Sequence, residues 1–239
     1  MPKSTAAERI ALRSRAITIA GLLILTLLAW LYLLAGAGMS GGMGNMGVGW
    51  PLVTGMWAAM MVAMMVPSAA PAILLFAKVH RHSIEPGISP PTAAFLGGYL
   101  ACWLGFAGLA AGLQLMIGNR MIVGSDAAAT LLILAGLYQL SPLKDACLGN
   151  CRSPAQFISR HYRAGTWGAM RLGLLHGAYC VGCCWLLMAL LFVGGVMNLA
   201  WIAALTLLVA GEKLLPGGTW IARLAGIAFI GWGVMIIAA

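Results

Sequence analysis

Long apolar stretches alternate with short polar punctuation along this chain. Seven runs are expected to be helices, at roughly 16–36, 52–78, 92–117, 126–141, 171–194, 197–213 and 218–238. A helix needs about 20 apolar residues to cross a hydrocarbon core of about 30 Å. The fourth and sixth runs are short, so they are expected to tilt less or to insert only in part. The first has basic flanks like a secretory leader. Its apolar run from Ala16 to Ala35 is too long for one and reads as an anchor. The expected fold is all-α: a polytopic transmembrane helix bundle of six to seven spans, one integral membrane domain over residues 1–239.

Orientation follows from the cations. With the N-terminus in the cytoplasm, 13 of the 14 lysines and arginines lie inside, from Lys3 and Arg9 to Lys213 and Arg223. Only Arg120 falls outside, a strong positive-inside bias. The expected location is a bacterial cytoplasmic membrane. Composition agrees: 62% hydrophobic residues, 8% charged residues and a mean hydropathy of +0.96 exclude an ordinary soluble domain. The net charge of +9 sits in short loops beside spans. It marks topology and contact with anionic lipid, not nucleic-acid binding. Six cysteines without secreted-scaffold spacing argue against a disulfide framework.

The fifth run carries the densest chemistry, His176-x-x-x-Cys180-x-x-Cys183-Cys184. At about 100° per residue, His176, Cys180 and Cys183 share one face, with Cys184 beside them. Thiolates with an imidazole form a soft donor set for Cu(I), with zinc as the other candidate. Cysteine also packs as a small hydrophobe, so simple core packing competes with ligation.

The second run holds Met56, Met60, Met61, Met64 and Met65, and the preceding Gly-rich outer loop, 36–50, holds Met39, Met43 and Met46. Thioethers suit Cu(I) and suit zinc poorly. Counted at about 1.5 Å per residue, Met60 and Met64 fall at the same depth as Cys180 and Cys183. Pro67 removes a helical hydrogen bond from the carbonyl of Ala63 and is expected to kink the helix.

The long basic loop 142–170 is expected on the cytoplasmic side, where Cys147 and Cys151 would exchange metal. Gly108-x-x-x-Gly112 reads as a helix-packing signal. Glu212 and Lys213 are expected to pair or snorkel at a membrane boundary. No phosphate loop, dinucleotide fingerprint, nucleophile elbow or carboxylate pair is present, so enzymatic activity is not supported by any motif.

Four segments together resemble the integral membrane proteins, expected to bind metal, of domain of unknown function 2182. They are Met60-Met61-Val-Ala-Met64-Met65-Val-Pro67-Ser68, Ser141 to Pro154 with Lys144, Cys147 and Cys151, His176 to Trp185, and Asn198 followed by Glu212-Lys213. The resemblance implies a polytopic membrane protein that binds metal, and members are sometimes described as copper chaperones. It supplies no reaction.

The leading expectation is a Cu(I)-binding membrane protein that takes up, passes on or delivers copper. Met39, Met43 and Met46 would capture the ion, and Met60 and Met64 would relay it to Cys180 and Cys183, with His176 and Cys184 adjoining. Cys147 and Cys151 would exchange it inside. Its partners would be the lipid bilayer, the metal ion and a metal-donor or metal-acceptor protein or membrane complex. Two rivals stand beside it: a copper-dependent membrane oxidoreductase or a subunit of one, and a structural or assembly subunit whose cysteines are merely buried.

Overall fold

The computed structural model of the chain describes residues 6–38, 49–83, 90–117 and 124–238, and the regular structure among them is helical throughout. In order the helices are α1 (Ala6–Gly38), α2 (Trp50–Ser83), α3 (Pro90–Met116), α4 (Ser125–Gln139), α5 (Pro142–Arg152), α6 (Pro154–His161), α7 (Gly165–Ala189), α8 (Leu191–Gly194), α9 (Leu199–Leu214) and α10 (Gly218–Ala238). Met39, Met43 and Met46 lie outside the described residues.

Five stretches are long and apolar enough to cross a membrane: Arg15–Gly36, Trp50–His80, Pro91–Met116, Gly165–Gly194 and Gly218–Ala238. A sixth exists only as α4 and α5 taken together, bent by 64°. The 16 residues of α9 give about 24 Å of helix, short of a hydrocarbon core of about 30 Å. All seven apolar runs are therefore helical, but two of them stop early. The outward faces of α1 and α10 remain apolar, with Leu23, Ile24, Leu27 and Leu28 on one and Leu224, Ile227 and Met235 on the other. Such surfaces are compatible with membrane insertion.

Local chemistry sets the breaks. Ser141 stops α4 and starts α5: its hydroxyl donates to the Tyr138 carbonyl at 2.8 Å and accepts from the Lys144 amide at 3.2 Å. Pro142, the first residue of α5, has no amide to leave unsatisfied. Asn198 caps α9 by accepting from the Trp201 amide at 3.2 Å. Helix α2 runs unbroken through Pro67 and Pro71. The Ser68 hydroxyl donates to the Met65 carbonyl, not to the Ala63 carbonyl that Pro67 frees.

Helices α3 and α7 pack most intimately, and glycine explains why. A Cβ at Gly98 would overlap the backbone of Met170, and one at Gly173 would overlap the Phe95 carbonyl. At Gly177 it would stand 2.9 Å from the Cys102 side chain. The contact points advance together along both helices, so α3 and α7 run parallel. The packing motif is thus Gly173-x-x-x-Gly177, whereas Gly108 and Gly112 meet only Trp50 at ordinary distances of 3.5 and 3.9 Å. Gly173→Ala is expected to cost about 1–3 kcal/mol by overpacking. Gly108→Ala should change stability little. Thermal unfolding of both proteins in detergent checks the contrast.

Candidate metal centre

Helix α7 carries His176, Cys180, Cys183 and Cys184, each no more than 2% exposed. The Cys183 and Cys184 sulfurs are 3.2 Å apart, and the Cys183 thiol donates to the Cys180 carbonyl at 3.2 Å. Cys151 arrives from α5, its sulfur 4.0 Å from that of Cys183. All six cysteines of the chain are free thiols.

The placement of Cys151 departs from the expectation of a cytoplasmic loop. Segment 142–170 folds into α5, α6 and the start of α7, and α5 packs against α7 within the bundle. Lys144 is completely buried there because it is neutralised. Its ammonium donates to Glu212 Oε2 at 2.7 Å and to Gln139 Oε1. Gln139 Nε2 donates to the other Glu212 oxygen at 2.7 Å, which closes a three-membered network. Arg152 adds a second clamp, with bonds of 3.0 Å to the Glu212 carbonyl and 2.7 Å to the Pro216 carbonyl. These polar ties hold α5 to the ends of α4 and α9. Cys151 therefore joins the span cysteines, while Cys147 packs against Gly182. The Tyr138 hydroxyl secures the same turn of α7 by donating to the Gly182 carbonyl at 2.5 Å.

Glu212 and Lys213 were expected to pair or snorkel. They do neither, because adjacent residues on a helix point in different directions. Glu212 takes Lys144, and Lys213 turns to the thiols. The Lys213 ammonium lies 2.9 Å from the Cys180 sulfur and 3.4 Å from the Ser68 hydroxyl. Tyr99 of α3 reaches the same sulfur at 3.1 Å and also donates to the Met65 carbonyl at 3.1 Å. Lys213, Ser68, Tyr99, Lys144 and Gln139 belong to this neighbourhood and were not singled out from the sequence as site residues. One signal was available for Lys144: Glu212 is one of only five acidic residues, and a carboxylate in an apolar helix requires a partner.

Met60, Met61, Met64 and Met65 are buried in α2. The Tyr99 and Lys213 contacts put the Met65–Ser68 turn level with Cys180, although α2 reaches α7 mainly through α3 and α9. His176 sits one turn before Cys180 in an aromatic cage, with ring centroids at 5.2 Å for Phe157, 5.8 Å for Tyr99 and 6.0 Å for Phe95. Its Nδ1 is buried without a hydrogen-bond partner among the described residues.

Among the described residues, no three His, Cys, Asp or Glu side chains are grouped so as to hold an ion. The thiols approach in pairs. Two sulfurs bound to one ion at about 2.3 Å each stand about 3.8–4.6 Å apart, depending on the angle at the metal. The Cys151–Cys183 separation lies within that range. A pair of buried thiols at that separation fits a soft ion held by two sulfurs.

No curated protein and no solved structure matches the chain. A family model does match, over residues 54–236, and its description is a copper chaperone. The match takes in the methionine turn of α2, the Ser141–Pro154 segment, the thiols of α7 and the Glu212–Lys213 pair. By that match across most of its length, the chain belongs to the copper chaperone family PpoB2.

Proposed function

We propose that this protein binds Cu(I) within a membrane and passes it between partner proteins, using a thiol centre built from α5 and α7. The observation that carries the reading is the 4.0 Å approach of Cys151 to Cys183 across two helices. Cys180 and Cys184 adjoin that pair, and either can take the place of one sulfur in a two-thiolate site. Membership of a copper chaperone family supports the choice of metal. Thiolate softness supports the cuprous state over Cu(II) and does not by itself exclude zinc.

The bound ion is cargo. Exchange needs no ATP when donor, centre and acceptor form a graded series of sites. Met60 and Met64 supply weaker thioether ligands at nearly the same depth, on the approach from the outer side. His176 is a further ligand, one turn from Cys180 with a free ring nitrogen. Met39, Met43 and Met46 would capture the ion outside.

The reading places the protein in a bacterial inner membrane as a bundle of up to seven spans, N-terminus inside. Lys78, Arg160, Arg163 and Arg171 support that orientation, since they gather where α2 ends, α6 lies and α7 begins. Short helices α4 and α9 would reach only part of the way across from the outer side. The bilayer, the ion and an acceptor protein are then the partners.

Metal content of the reduced, detergent-purified protein tests the proposal. At least about one copper per chain is expected in the wild type, with loss in Cys180→Ala/Cys183→Ala. Zinc in copper's place would overturn the cuprous reading. Equal metal in both proteins would overturn the thiol centre.

A further inference from the structure

A copper site normally gathers anionic or neutral donors, yet this one contains a cation of the protein's own. Lys213 projects from the last turn of α9, 7% exposed, with its ammonium 2.9 Å from the Cys180 sulfur. Its neighbour Glu212 is already engaged by Lys144 and Gln139, so that carboxylate is committed elsewhere. Among the described residues, the other polar contact of the ammonium is the uncharged Ser68 hydroxyl, at 3.4 Å.

This arrangement constrains which metal the centre can hold. A net charge is costly to retain in a dry, apolar interior. A monovalent ion held by two thiolates carries one net negative charge, and the Lys213 ammonium cancels it. A divalent ion held by the same two thiolates is neutral already, and Lys213 would leave an uncompensated positive charge. With Lys213 in place, zinc would reach neutrality only by recruiting a third thiolate. With a neutral side chain at position 213, the balance inverts: two thiolates and a divalent ion become the neutral combination.

We propose that Lys213 is the specificity-determining residue of the centre, the fixed positive charge that makes it accept a single soft monovalent ion and reject a divalent one. The inference rests on the thiol centre proposed above and deepens it.

The test is a competition between Ag(I) and Zn(II) for the full chain in detergent, under a reductant that carries no thiol. Silver stands in for Cu(I), with the same charge and softness. Bound metal is read by mass spectrometry for the wild type, Lys213→Met and Lys213→Arg. The wild type is expected to favour silver. Lys213→Met should shift the silver-to-zinc ratio towards zinc by about tenfold or more, from the cost of one uncompensated charge in an apolar core. Lys213→Arg should keep the wild-type ratio, which a merely structural role for the lysine would not require. If Lys213→Met does not remain monodisperse, Lys213→Gln carries the same expectation with a polar side chain. An unchanged ratio in the neutral variants would overturn this inference and leave the copper centre standing. A wild type that takes no silver would overturn both.

Discussion

Glu212→Gln is expected to cost about 3–5 kcal/mol of stability, because it strands the Lys144 ammonium in a fully buried site. The substitution keeps the shape and most of the hydrogen-bonding capacity of the side chain, so the loss reports charge. Among the described residues Lys144 has no alternative anion, since its other bond goes to the neutral Gln139 amide oxygen. The double variant Lys144→Met/Glu212→Gln removes both charges and should recover much of the loss. Denaturant unfolding of wild type, both single variants and the double variant forms a cycle that isolates the pair. Additive single effects would show that Lys144 and Glu212 act independently, contrary to the network in which Gln139 bridges them. The same variants should lower copper retention as well, because the network holds α5, and with it Cys151, against α7.

The second large effect separates two cysteines that look equivalent in the sequence. Cys151→Ala is expected to lower copper affinity by about 100-fold or more, since loss of a mere outer-shell partner already costs about 10–100-fold in metal sites. Cys147→Ala should change it by less than about threefold, because that side chain packs on Gly182. The measurement is a competition titration of the reduced proteins against a chromophoric Cu(I) chelator. Equal losses in the two variants would mean that Cys147 and Cys151 bind one ion between them. No loss in either would remove α5 from the site and confine the ligands to α7.

Much of the site was legible before any fold was known. His176, Cys180 and Cys183 share a face because helical geometry alone puts residues three, four and seven apart together, and all three are buried as that face requires. The depth of Met60 and Met64 against the cysteines could be counted along each helix, and Tyr99 joins the neighbouring Met65 carbonyl to the Cys180 sulfur. The direction of approach between helices could not be counted. Gly108-x-x-x-Gly112 looked like the packing face of α3, yet the close contact falls on Gly98, Gly173 and Gly177. Any of these glycines permits close approach, and only the neighbouring helix decides which one is used.

Charge misled for a related reason. Thirteen cations on one side of the chain suggested that Lys144, in a basic stretch, belonged to a water-exposed loop. Its burial depends on Glu212, 68 residues away. Nothing local distinguishes a solvated lysine from one that has a distant carboxylate waiting for it. Adjacent Glu212 and Lys213 invited the opposite error, a local pair, although neighbouring helical side chains diverge.

The sequence alone therefore determined the helical class, the apolar lengths, the face shared by His176, Cys180 and Cys183, and the softness of those side chains as donors. These follow from periodicity and element chemistry, which act over a few residues. Only the tertiary structure decided that Cys151 completes the thiol group, that Cys147 does not, and that Lys213 is the cation beside Cys180. Those are matters of which helices become neighbours. That choice is made by long-range packing and by buried charges that must find each other once water is excluded.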